Sequence, residues 1–321
     1  MSTMTADLVA GFPFPFPAPT YRYSTNVEPA RGAVPTPAGQ WGTAVVDVDS
    51  EDPSRYAALP HMEIACWDAM LCLLRELALT RPDECSLEVV AGGPRPTYRW
   101  RNDLLGIDRV FVLGEAATLP DEPLAWAAAQ VQEDVVLLDQ RDGVLYGDAG
   151  VVTFAADWSF GFDVGMSFLE IHGPVPRLHA EGVITRAHEF LKRLQPGETY
   201  RRTNWTLTIG PRLAVSTERY PEWGPDRDRL ALVDDETFGR LVHLRVEVQH
   251  LIRLPESGAV MFLIRTYLQP LAVLATVEPW RLRAAEVLEE LPQDLADYKG
   301  VAKYRRRAAA WLRAAGPATE R

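Results

Sequence analysis

Cysteine is scarce in this chain: there are three, Cys66, Cys72 and Cys85, in 321 residues. None forms a C-x-x-C pair, and an odd count argues against a disulfide framework. Zinc or iron–sulfur sites built from thiolates are thereby excluded. The lack of a C-x-x-C-H motif excludes covalent c-type heme attachment. No apolar run approaches the roughly 20 residues that span a bilayer. No basic segment followed by an apolar run marks a signal peptide. Basic residues are also short, 33 against 44 acidic, for a net charge of −11. A nucleic-acid binder needs a basic face to displace counterions, and no dense Lys/Arg stripe is present. These absences fit a cytoplasmic protein in a reducing compartment, with no membrane or nucleic-acid partner. The one basic run, Lys303 to Arg307, reads as the solvated end of a helix.

What is present is an ordinary globular composition, 47% hydrophobic and 24% charged. The length allows two domain-sized units or one large one. Residues 1–40 form a proline-rich arm that includes Gly11-Phe-Pro-Phe-Pro-Phe-Pro17. Fixed φ angles and missing donors make it extended, and its phenylalanines are expected to pack on the body. Residues 41–300 form the main domain, and 301–321 a helix end and tail. Ala57 to Leu79 reads as an amphipathic helix, with Ile64, Met70, Leu73, Leu74 and Leu77 near helical spacing. Pro123 to Gln132, Ile184 to Leu194, Glu278 to Leu291 and Leu295 to Ala315 are further helices, with His188 on an exposed face. Strands at 135–138 and 144–146 flank Asp139-Gln-Arg-Asp-Gly143, a hairpin signal with Gly143 at positive φ. Val151 to Ala155 continues as a strand. Thr203 to Ile209, Leu244 to Leu254 and Ala259 to Leu268 are strong strands. The pattern is α+β: antiparallel strands with helices around them.

Four segments stand out: Ile171-His-Gly-Pro-Val-Pro176, Arg202-Thr-Asn-Trp-Thr206, Leu244-Arg-Val-Glu-Val-Gln249 running on to Arg253-Leu-Pro255, and Ser257-Gly-Ala-Val-Met-Phe-Leu-Ile-Arg-Thr-Tyr267. With Asp297-Tyr-Lys-Gly300, their order and spacing resemble the heme-binding subunit of heme-dependent oxidative N-demethylases, over roughly residues 10–305. The resemblance implies a PAS-like antiparallel sheet with surrounding helices and a heme pocket. It implies a monooxygenase reaction: a small secondary amine such as dimethylamine loses a methyl group, dioxygen and reducing equivalents are consumed, and formaldehyde and a primary amine leave. It also implies heme b, with electrons from NADPH through a partner reductase carrying flavin and an iron–sulfur centre. Two alternatives stay open: a heme-based gas or redox sensor, and a heme-free PAS-like binding module. The chain departs from the family at Val248 and Ile252, where the family tends to carry Arg, which leaves the substrate open.

With the resemblance in hand, His172 is the candidate axial ligand and metal-binding residue, since neutral imidazole binds iron well and Gly173-Pro174 lets the chain turn against a flat ring. Its rival reading is a helix-capping histidine. His250, on a core strand, is the runner-up ligand. Glu247 sits mid-strand among apolar residues, where an unpaired carboxylate is costly. It either serves the chemistry or pairs with Arg245, Arg265 or Arg202. A three-residue loop, Glu256 to Gly258, would set Glu247 opposite Tyr267 and Gln249 opposite Arg265, making one catalytic cluster of Glu247, Gln249 and Tyr267. A two- or four-residue loop would separate them onto opposite faces. Arg202 and Arg265 are candidates for the heme propionates or for plain salt bridges. Asn204 and Trp205 are candidates for the pocket wall, or Trp205 for simple core.

Overall fold

The computed structural model describes residues 9, 11–21, 23–30, 34–38 and 55–315. The arm-to-domain boundary expected at 40/41 and the tail at 316–321 lie outside these residues. Ten strands are described: β1 (Glu28–Pro29), β2 (Tyr56–Ala58), β3 (Cys85–Ala91), β4 (Thr97–Asn102), β5 (Ile107–Val112), β6 (Asp134–Arg141), β7 (Val144–Val151), β8 (Thr199–Ile209), β9 (Val242–Arg253) and β10 (Val260–Pro270). Seven of them form one sheet in the order β1-β8-β9-β10-β6-β7-β2, and β3-β4-β5 form a second. Every pairing between these strands is antiparallel.

The large sheet has two differently covered faces. The longest helix, α1 (Glu63–Thr80), lies on one of them. It presents Met70, Leu73, Leu74 and Leu77 to Leu137, Met261 and Leu263 of the large sheet and to Trp100 and Phe111 of the small one. The helix starts later than its spacing predicts, because Ala57 and Ala58 pair with β7 as a strand and Pro60 opens the turn before it. Ile64, expected on the apolar face, is exposed. The helix beginning at Pro123, α2, stops at Ala128 rather than Gln132.

The segment between β7 and β8 carries α3 (Phe168–Ile171) and α4 (Val183–Arg193). These cover part of the other face, where Phe168, Ile184 and Leu191 meet Leu138, Leu251 and Val260. His188 of α4 is buried, not exposed as its helical position suggests. Residues 152–155, expected to be strand, fall outside β7. At the chain's end, α5 (Glu278–Glu290) and α7 (Arg305–Ala314) pack with Leu207, Leu244 and Val246 on the face that α1 covers elsewhere. The single long helix expected from 295 to 315 is two, α6 (Gln293–Tyr298) and α7, divided at Gly300 (φ +66°). The basic run is solvated only in part: Lys303 and Arg306 are exposed, while Arg305 and Arg307 are structural. Arg305 is buried and donates to the Leu288 and Leu291 carbonyls that end α5, and Arg307 donates to Leu230 and Val233.

Both hairpins of the large sheet use the glycine their turns require. Gly143 has φ +77° between β6 and β7. Between β9 and β10, Leu254 pairs with Ala259 around a four-residue loop, Pro255 to Gly258, and Gly258 has φ +71°. A Cβ at Gly258 meets nothing within 4 Å, so Gly258→Ala carries backbone strain alone. We expect a loss of about 1 kcal/mol in urea unfolding with an unchanged slope; no loss would mean that the positive φ is not required.

Candidate functional site

The loop length decides the site. Four residues rather than three shift the β9–β10 register by one, so Glu247 pairs with Thr266 and Val246 with Tyr267. Glu247 and Tyr267 therefore point to opposite faces, as do Gln249 and Arg265. The Glu247–Gln249–Tyr267 cluster expected from a three-residue loop does not form. The register of β8 completes the division: Arg202 pairs with Gln249 and Asn204 with Glu247, while Trp205 pairs with Val246. Arg202, Asn204, Glu247 and Gln249 share one face. Trp205, His250, Arg265 and Tyr267 share the other. On that second face the Arg265 guanidinium lies over the Tyr267 ring, 5.1 Å from its centroid, and Trp205 meets Phe16 edge-on.

The face of Glu247 is a hydrogen-bonded polar row. Its Oε2 accepts from Asn204 Nδ2 at 3.2 Å and Gln249 Nε2 at 3.1 Å, and its Oε1 from Arg245 Nε at 3.4 Å. The ion pair with Arg245, one of the sequence alternatives, is thus present. Arg245 is completely buried. It also donates to the Leu213 carbonyl at 2.6 Å, the Phe154 carbonyl and Thr266 Oγ1 at 3.2 Å. Gln249 Oε1 is buried with no partner among the described residues. An unpaired buried acceptor is costly unless a ligand or water satisfies it.

Lys299 reaches this row from just past the end of α6, and sequence reading missed it as a site residue although it lies in the Asp297–Gly300 motif. Its Nζ donates to Trp205 O at 2.6 Å and Asn204 Oδ1 at 3.4 Å. Burial lowers its pKa to about 8, with Glu247 acting the other way. Asn204 therefore links Lys299 to Glu247. Beneath, Asp134 accepts from the Thr153 and Phe154 amides, and burial raises its carboxyl to about 7.

His172 follows α3, on the side of the sheet that bears Glu247. Ser167 and Glu170 form a capping box that fixes this short helix. The His172 ring packs on Phe168, with centroids 4.4 Å apart, and Nδ1 lies 2.8 Å from Phe168 O. That bond selects the tautomer with hydrogen on Nδ1 and leaves Nε2 as a free acceptor. Burial depresses the pKa to about 4, the Phe168 carbonyl opposing and Arg202 adding to the shift, so the ring is neutral. Arg202 donates through Nε to Thr25 O at 3.1 Å, and its terminal amino groups have no partner among the described residues. Burial lowers its pKa, with Glu247 opposing, so it lies within electrostatic reach of both His172 and Glu247. His188 also flanks Phe168, but its Nε2 is sealed off.

A second cluster, His61, Asp139 and Asp148, has the composition of a metal site. Arg141 donates to both carboxylates from within it, so it is an ion-pair network. The three cysteines are free, and no helix among the described residues is long and apolar enough to cross a membrane.

The molecule is thus an α+β protein whose antiparallel sheet bears a polar row of buried ionisable groups on one face, flanked by a neutral histidine. It matches the model for haem-dependent oxidative N-demethylase, alpha subunit-like, over residues 47–309, and the chain belongs to that family.

On the reverse face, burial and then Arg201 depress the His250 pKa to about 4. Its folded value is below its unfolded value of 6.5, so the unfolded chain binds more protons between these limits. We expect stability to fall as pH drops from about 6.5 to 4, by on the order of 2 kcal/mol from this residue. His250→Phe, which cannot protonate, should remove that part of the acid sensitivity in pH-dependent melting; an identical slope in the variant would contradict the assignment.

Proposed function

We propose that the chain is a heme b oxidative N-demethylase acting on a small secondary amine. The observation that carries this reading is His172: a neutral imidazole, its Nδ1 tied to a backbone carbonyl and its Nε2 free, beside an arginine with unused donors. That donor set fits heme. His172 would hold the iron through Nε2, and Arg202 would take the carboxylates of the macrocycle. When bound, heme supplies the redox chemistry that activates dioxygen. The five central antiparallel strands, with helices inserted between the first hairpin and the last three strands, support the PAS-like expectation.

The chain's own residues hold the amine. A secondary ammonium carries two N–H donors. Glu247 offers a carboxylate and the adjacent Gln249 an unpaired amide oxygen, so the pair accepts both. Ile264 and Phe262 lie on the same face of β10 and give apolar surface for the methyl groups. The Lys299 ammonium donates to Asn204, which donates to Glu247, so the chain holds the amine-binding carboxylate in place and sets a positive charge behind it. Electrons come from NADPH through a reductase subunit with flavin and an iron–sulfur centre, in line with the family's "alpha subunit" description.

The purified chain should show a Soret band, natively or after heme addition, and His172→Ala should lose it. With a suitable reductase, dimethylamine and NADPH should yield formaldehyde. Glu247→Gln should keep the Soret band and weaken the dimethylamine-induced spectral change by about 10- to 100-fold. A wild-type chain that takes up no heme overturns the reading. A heme-loaded chain that releases no formaldehyde with a competent reductase turns it toward a sensor.

A further inference from the structure

The N-terminal arm touches the candidate site twice, and its described residues precede the stretch 47–309 matched by the family model. The arm begins on the C-terminal helices, where Phe14 stacks on Trp280 at 4.8 Å and the Tyr21 amide donates to Glu290. It then runs along the outer edge of β8. The Asn26 side chain donates to Thr203 O at 2.9 Å and accepts from its amide at 3.3 Å. Glu28 pairs with Arg201 at 3.0 Å.

Between these anchors come two bonds of another kind. Tyr23 Oη donates to Pro176 O at 2.9 Å, four residues beyond His172. Thr25 O accepts from Arg202 Nε and is the only hydrogen-bond partner of that guanidinium among the described residues. Tyr23 also packs against two separate apolar clusters, the one around the C-terminal helices and the one that holds Phe168. Burial pushes its phenol up to about 12, so the hydroxyl keeps its proton and remains a donor.

We propose that Tyr23 and Thr25 are positioning residues: the arm is a clamp that holds the His172 loop and the Arg202 guanidinium in the geometry that retains the cofactor. The proposal rests on the heme reading above. Its physical content is linkage: a group that favours the clamped state is bound more tightly by it, and binding must stabilise the clamp in return.

The test uses the full chain, heme-loaded, with transfer of heme to excess apomyoglobin followed at the Soret band. Tyr23→Phe keeps the ring and its packing and removes only the hydroxyl. Thr118→Val, which removes two remote bonds, from Val112 N to Thr118 Oγ1 and from Thr118 Oγ1 to Glu115 O, is the control for general loss of stability. We expect heme loss about tenfold faster in Tyr23→Phe and unchanged in Thr118→Val, with both melting temperatures close to wild type. We also expect slower amide hydrogen exchange in residues 23–28 on heme loading, a readout independent of turnover. Equal heme-loss rates in wild type and Tyr23→Phe overturn the proposal and leave the heme reading standing. A wild-type chain that binds no heme removes both.

Discussion

The buried charge of Arg245 constrains the site more than any other group. A guanidinium with no exposed surface, in the middle of a sheet, is tolerated only when its donors are used. Arg245 uses them on the Phe154 and Leu213 carbonyls, on Thr266 and on Glu247. Two loops are thereby pinned to the sheet, and one carboxylate oxygen is fixed. Once Glu247 is fixed, its other oxygen gathers Asn204 and Gln249, and Asn204 brings in Lys299. Asp134, which caps the Thr153 and Phe154 amides, places a carboxyl close to the same guanidinium.

The elements around this row were legible because β9 and β10 are long and apolar and the turns at Gly143 and Gly258 carry their glycines. The faces were less so. Strand β9 is buried on nearly its whole length, so alternation does not say which side looks inward. Only the loop sets its phase against β10, and a one-residue difference in that loop moved Tyr267 and Arg265 to the other side. Arg202, Asn204, Glu247 and Gln249 share a face because β8 and β9 register independently of that loop. Arg245 was visible as a possible partner of Glu247, since a mid-strand carboxylate needs one.

Other misses have local causes. Lys299 is brought to β8 by the break at Gly300, and a continuous helix would hide that approach. The small sheet β3-β4-β5 has strands of six or seven residues whose outward side chains are charged, such as Arg99, Arg101 and Asp108; Tyr98, Trp100 and Phe111 on its buried face were the available signal. His188 is buried because Phe168 comes back over α4, a contact that helical spacing does not encode.

Two faces of one sheet now carry distinct histidines: His172 beside the Glu247 row, and His250 on the reverse face, paired with Leu263 and Arg201. The crystal structure of the heme-loaded protein tests the choice between them most directly. Iron bonded to His172 Nε2, with the macrocycle on the face of Glu247 and Gln249, is the predicted result. Iron bonded to His250, or a macrocycle lying against Arg265 and Tyr267, would contradict it.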